Sequence, residues 1–79
     1  MAEVLVRYFA GAVDAAGRES EVVAASTVAE VLDQLRDRYG PQMERIIRTG
    51  SQLSDGIAVR DARGPVGARL DILPPFSGG

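Results

Sequence analysis

The stretch from Thr27 to Gly40 constrains the fold more than any other part of the chain. Thr27 followed by Glu30 is a capping-box pattern, in which each side chain reaches a free backbone N–H of a helix start. Val28, Val31, Leu32, Leu35 and Tyr39 then recur on one face of a 3.6-residue period. Glu30, Asp33, Gln34, Arg36, Asp37 and Arg38 take the other face. Gly40 suits the position just past a helix end, and Pro41 blocks continuation. The spacing predicts a helix over residues 28–39 with its charged face in solvent. An apolar helix face must be covered, and the segments around this one read as strands, so an α+β fold with a sheet packed on one main helix is expected.

Glu3 to Ala10 (E-V-L-V-R-Y-F-A) is rich in valine and aromatic residues and reads as a first, central strand, with Val4, Val6 and Tyr8 on one face and Leu5, Arg7 and Phe9 on the other. Gly11 to Gly17 reads as a loop or short helical turn. Arg18 to Ala24 reads as a second, more exposed strand that forms a hairpin with the first. After the main helix, Met43, Ile46 and Ile47 suit a second short helix over 41–48. Residues 49–56 are polar and turn-forming, and 57–60 make a short strand. Asp61 to Gly64 suggests a tight turn with Gly64 at positive φ, and Pro65 and Val66 a brief return strand. Arg69 to Leu73 (R-L-D-I-L) is the last strand. The main helix is long enough to serve as a crossover. First and last strands lying parallel at the sheet centre would give the β-grasp arrangement, and other small α+β folds satisfy the same pattern.

Length and residue types narrow the function. The chain has 79 residues, enough for one domain, and shows neither repeat nor linker. Its 9 basic residues are all Arg, against 11 acidic ones, and it has no Lys, His or Cys. Without Cys there is no thiolate nucleophile or disulfide, and without His the usual general base and metal ligand are missing. A self-contained hydrolase, redox protein or metal centre is therefore not expected, and no cofactor is expected to be bound. The mild acidity argues against nucleic-acid binding. No apolar run is long enough for a membrane span, and the start carries no signal-peptide pattern, so a cytoplasmic protein is expected. Arg without Lys reads as a compositional bias.

The sequence finishes Leu73-Pro74-Pro75-Phe76-Ser77-Gly78-Gly79. Pro75 fixes its own φ and keeps Pro74 extended, a stiff stem. Gly78 and Gly79 have no Cβ, so they fit a channel too narrow for a side chain. Residues 1–73 are expected to form the domain and 74–79 an extended arm ending in a free carboxylate.

This ending resembles the C-terminus of the ubiquitin-like sulfur carriers of the ThiS/MoaD type, and its Pro-Pro-x-Ser-Gly-Gly form is most similar to the small subunit of molybdopterin synthase. Val6-Arg7-Tyr8-Phe9-Ala10 before a Gly-bounded segment, and Thr27-Val28-x-x-Val31-Leu32, resemble the family's first strand and helix start. Two features depart from the family pattern: Val66-Gly67-Ala68-Arg69 replaces the usual Gly-Asp turn before the last strand, and the Asn-Gly turn of the middle hairpin is absent.

The resemblance implies a β-grasp fold and a carrier rather than an enzyme. A partner adenylating enzyme would use ATP and Mg²⁺ to activate the Gly79 carboxylate, and a cysteine-persulfide sulfur donor would convert it to a thiocarboxylate. The arm would then enter the large subunit of molybdopterin synthase and give sulfur to the precursor of the molybdenum cofactor. Gly79 carries the chemistry, Gly78 the clearance, and Pro74 and Pro75 the direction, with Ser77 in the arm and Phe76 and Leu73 as docking contacts. A carrier for thiazole or cysteine synthesis, or a modifier joined to target lysines, uses the same ending.

Overall fold

The computed structural model describes residues 2–75. The elements in chain order are β1 (Ala2–Tyr8), α1 (Gly11–Ala16), β2 (Ser20–Ala25), α2 (Val28–Tyr39), α3 (Pro41–Thr49), β3 (Ser51–Ser54), β4 (Ile57–Ala58) and β5 (Arg69–Leu73). The sheet order is β2-β1-β5-β3-β4. β1 and β5 lie parallel at its centre, and β2 and β3 flank them antiparallel. Strands at both ends of the chain, held together and covered by the helices between them, make this a β-grasp fold.

The main helix has the predicted bounds. Thr27 Oγ1 accepts from the Glu30 N–H at 3.2 Å, and Glu30 Oε1 accepts from the Thr27 N–H at 3.0 Å, so both halves of the capping box form. Val28, Val31, Leu32 and Leu35 are buried against Val4, Val6, Leu70 and Ile72 of the two central strands. Met43 and Ile47 of α3 close the same core. Gly11–Ala16 is a short helix, ended by Gly17 in the left-handed region at φ 73°.

The charged face of α2 is less detached than expected. Arg38 crosses to Glu21 on β2, whose carboxylate also accepts from the hydroxyls of Tyr8, at 2.5 Å, and Tyr39. The two tyrosine rings meet edge to face at 6.1 Å. Burial pushes the Glu21 carboxyl up, but the Tyr39 and Tyr8 hydrogen bonds and the Arg38 charge outweigh it and hold it below its usual value. Burial first, then the bond to Glu21, pushes the Tyr8 and Tyr39 hydroxyls up. Because the Glu21 side chain is only 7% exposed, the cluster ties β1, β2 and α2 through a nearly dry carboxylate. Glu21→Gln replaces one acceptor oxygen with a donor amide that faces other donors. It should cost about 2 kcal/mol, or roughly 8–16 °C in Tm, measured by thermal unfolding. With the folded pKa lowered, this stabilisation is complete above the unfolded carboxylate pKa of about 4.3 and is lost as pH falls through the folded value. The gap between the two proteins should therefore close in acid.

The connection from 49 to 73 differs most from the sequence expectation. Residues 51–54, expected to be turn, form β3 and pair with β5 from Ser51↔Leu73 to Ser54↔Leu70. The strand expected over 57–60 shortens to Ile57–Ala58, and the return strand at Pro65 and Val66 is reduced to one bridge between Thr27 and Pro65. Asp61 and Gly64 do close a turn, the Gly64 N–H donating to the Asp61 carbonyl at 3.1 Å, but Gly64 is not at positive φ. The positive values fall at Asp55 (φ 49°) and Gly56 (φ 83°), the pairing that a two-residue type I′ hairpin requires. Asp55-Gly56 thus stands where the family resemblance led one to look for Asn-Gly.

The same turn explains how residues 66–69 hold their shape without an acid of their own. Asp55 supplies it: its carboxylate accepts from the N–H groups of Ala68 at 3.2 Å and Arg69 at 3.0 Å, and Ser54 Oγ accepts from the Gly67 N–H at 2.8 Å. A Cβ on Gly67 would lie 2.0 Å from Asp55 Oδ2, so the close approach requires glycine.

Candidate functional site

Two features of the sheet lie along β5, the strand that leads into the last residues. The first is the strand end. Gly50, at the end of α3, lies so close to β5 that a Cβ there would sit 2.0 Å from the Leu73 carbonyl oxygen. Leu73 is half-buried and closes the β3–β5 ladder opposite Ser51; Pro74 is half-buried and Pro75 exposed. Phe76, Ser77, Gly78 and Gly79, named from the sequence as docking, arm, clearance and reacting residues, lie outside the described residues.

The second feature is the sheet face turned away from the helices. Alternation along β1 sends Val4, Val6 and Tyr8 into the core and Leu5 and Arg7 outward. Strand pairing extends these into two rows. Val22, Leu5 and Arg69 form one, and Arg7, Asp71 and Leu53 the other. Leu5 is 40% exposed and Val22 59%, side by side on paired strands, which leaves an apolar patch on the open face.

Beside that patch is a charge cluster. Arg7 donates from Nε and Nη2 to the two Asp71 oxygens at 2.8 and 3.0 Å, a bidentate pair across the parallel strands. Arg69 Nε lies 3.5 Å from Asp71 Oδ1, is itself buried and, among the described residues, has no hydrogen-bond partner. The Arg7 guanidinium also lies 5.3 Å from the centre of the Phe9 ring. The hydrogen bond from Arg7 holds the Asp71 carboxyl below its usual range, outweighing burial. Two guanidinium groups around one carboxylate leave this part of the face cationic within an acidic protein. Asp71→Asn keeps the shape and removes the shared charge. It should cost about 1–2 kcal/mol in urea unfolding, the solvent exposure of Arg7 keeping the figure below that of a fully buried pair.

Sequence reading did not locate this face. The alternation of Leu5, Arg7 and Phe9 was visible, whereas the partners Val22, Arg69 and Asp71 required the strand register. Among the described residues no cluster of metal-ligating side chains occurs, and no helix is long and apolar enough to cross a membrane.

No protein-family model matches the chain, and no curated protein matches it. Solved structures do. The small archaeal modifier protein 1 (SAMP1) of Methanosarcina acetivorans superposes with a TM-score of 0.83 at 28% identity, covering 100% of this chain and 98% of that one. SAMP1 of Haloferax volcanii gives 0.76 at 25% identity, over 99% and 100%. A proposed molybdopterin converting factor subunit 1 from Pyrococcus furiosus gives 0.80 over 96% and 100%; at 18% identity it speaks for the fold alone. The chain has the β-grasp fold of these small proteins. In this β-grasp chain the end of β5 and the open face belong to one sheet, with Gly50 of the α3–β3 junction packed against that end.

Proposed function

We propose that this chain is a sulfur carrier whose Gly79 carboxylate is adenylated by a partner enzyme, converted to a thiocarboxylate and used to supply sulfur for molybdopterin. Likeness to small modifiers and to a proposed molybdopterin converting factor subunit supports the broader class, a small ubiquitin-like carrier or modifier. The observation that carries the finer reading is Pro74-Pro75-Phe76-Ser77-Gly78-Gly79 directly following a central strand anchored at Gly50.

An α-carboxylate is ionised at neutral pH and resists nucleophiles, so it must be activated. The adenylating partner joins it to the α-phosphate of ATP and releases pyrophosphate, with Mg²⁺ and the electrostatic work on the partner's side. A persulfide sulfur then displaces AMP, and a thiol releases the thiocarboxylate. None of these steps asks for a Lys, His or Cys on the carrier, and this chain has none. The apolar patch of Leu5 and Val22, with its cationic neighbours Arg7 and Arg69, is the proposed docking face for the adenylating partner. The reading requires that Gly79 carry the terminal carboxylate. In an assay with a competent adenylating enzyme, exchange of pyrophosphate into ATP should depend on the carrier; exchange that ignores its presence would count against this function.

A second reading has its own support. The likeness to SAMP1 carries the higher identity, and that protein is described as a modifier. A modifier would end on target lysines instead of on a pterin, and following the activated chain to its product separates the two.

A further inference from the structure

We propose that the chain offers its own activated end no competing side-chain amine, because every basic side chain on the surface beside that end is an arginine. The inference rests on the reading of Gly79 as an activated carboxyl and concerns a reaction that reading does not address.

An activated acyl group is consumed by any amine that reaches it. The amine lone pair attacks the carbonyl carbon and a C–N bond forms. The bond to the leaving group breaks, AMP or a thiol departs, and one proton passes to solvent. Geometry makes this a real hazard for a small carrier. The protein measures 36 × 23 × 18 Å, and the four residues after Pro75 can span at most about 14 Å. From the β5 end that span takes in the end of α3 beside Leu73, where tethering raises the local concentration of any nucleophile.

The cations that populate this surface are all arginine. A guanidinium remains protonated at any working pH, so it offers no lone pair to the acyl carbon. Six of the nine have structural reasons to be Arg. Arg7, Arg18, Arg36, Arg38, Arg63 and Arg69 are in ion pairs, several of them forked. Arg45, Arg48 and Arg60 are exposed and, among the described residues, are in no ion pair. Nothing in the fold requires the fork there, and lysine would keep the charge equally well. Arg48 is the most exposed to consequence: it lies in the last turn of α3, two residues before the Gly50 that touches the Leu73 carbonyl. The nearby Thr49 hydroxyl donates to the Arg45 carbonyl at 2.7 Å, which occupies its proton. The all-arginine surface therefore leaves the activated end to its partners.

The test needs no partner enzyme. The full chain is prepared with its Gly79 carboxyl as a chemical thioester, unchanged and as the variants Arg45→Lys, Arg48→Lys and Arg60→Lys, and incubated between pH 7 and 9. Products are resolved by intact mass, and each linkage is mapped to a side chain or to the α-amine. The unchanged chain should lose its thioester by hydrolysis. Arg48→Lys should give side-chain amides, internal or between two copies, at least tenfold faster than the unchanged chain, with the rate rising with pH as the ammonium deprotonates. Side-chain adducts from the unchanged chain at a rate matching Arg48→Lys, for example esters at Thr49 or Ser51, would overturn the proposal. So would the failure of all three lysine variants to exceed the unchanged chain. Pyrophosphate exchange with the adenylating partner, measured separately on the unchanged chain, reports on the carrier reading itself and not on this one.

Discussion

Removing Gly79 is expected to abolish sulfur transfer while leaving thermal unfolding unchanged. The two effects separate because they live on different parts of the chain. The core is built from Val4, Val6, Leu70 and Ile72 against α2 and α3, all upstream of Pro74. A residue beyond that core contributes little to stability. Its proposed chemistry is another matter. The truncated chain would end at Gly78 and present its carboxylate one residue, at most about 3.6 Å, short of where an adenylating centre expects it. Reactions that depend on near-attack geometry lose orders of magnitude over such a displacement. Transfer assays should read zero with the truncated chain, and calorimetry should superimpose the two unfolding curves. Full transfer by the truncated chain would remove Gly79 from the account.

Gly50→Ala tests the packing at the end of β5, and its expected cost is about 3 kcal/mol or more. The residue has an ordinary negative φ of −97°, so the requirement is space and not backbone conformation. A methyl group would lie 2.0 Å from the Leu73 carbonyl oxygen and 2.8 Å from that of Ile46, both backbone atoms that have no rotamer in which to escape. Either α3 shifts or the last pair of the β3–β5 ladder, Ser51 opposite Leu73, comes apart. Both move the point from which residues 74–79 depart. Denaturant unfolding should show the loss in midpoint, and hydrogen exchange should show it first at Leu73. A stable variant with undisturbed exchange at Leu73 would mean that the anchor is not where the structure puts it.

How much of this was written in the residues varied with the kind of signal. The helix over 28–39 was legible to the residue because its signals are local: a capping box, one apolar stripe, and Gly40-Pro41 at the end. β5 was equally clear from its bounded apolar run. β3 was not, because Ser51-Gln52-Leu53-Ser54 has little strand preference of its own and is held by β5, a partner about twenty residues away. Misreading that segment moved the hairpin turn from Asp55-Gly56 to Asp61–Gly64, although Asp-Gly is among the strongest short turn signals. The arm expected over 74–79 rests on composition alone, and its last four residues lie outside the described residues. The open face was legible only in half: Leu5 and Arg7 could be assigned outward, but that Arg7 meets Asp71 across a parallel pair, 64 positions apart, is a property of the topology.

The most direct test of the central claim is the mass of Gly79 itself. The chain is incubated with its adenylating partner, ATP, Mg²⁺ and a persulfide sulfur donor, and the intact protein and its final peptide are weighed. An oxygen-to-sulfur exchange confined to Gly79 is the predicted result. An unchanged final peptide, with a partner shown to be active by pyrophosphate exchange, would contradict it.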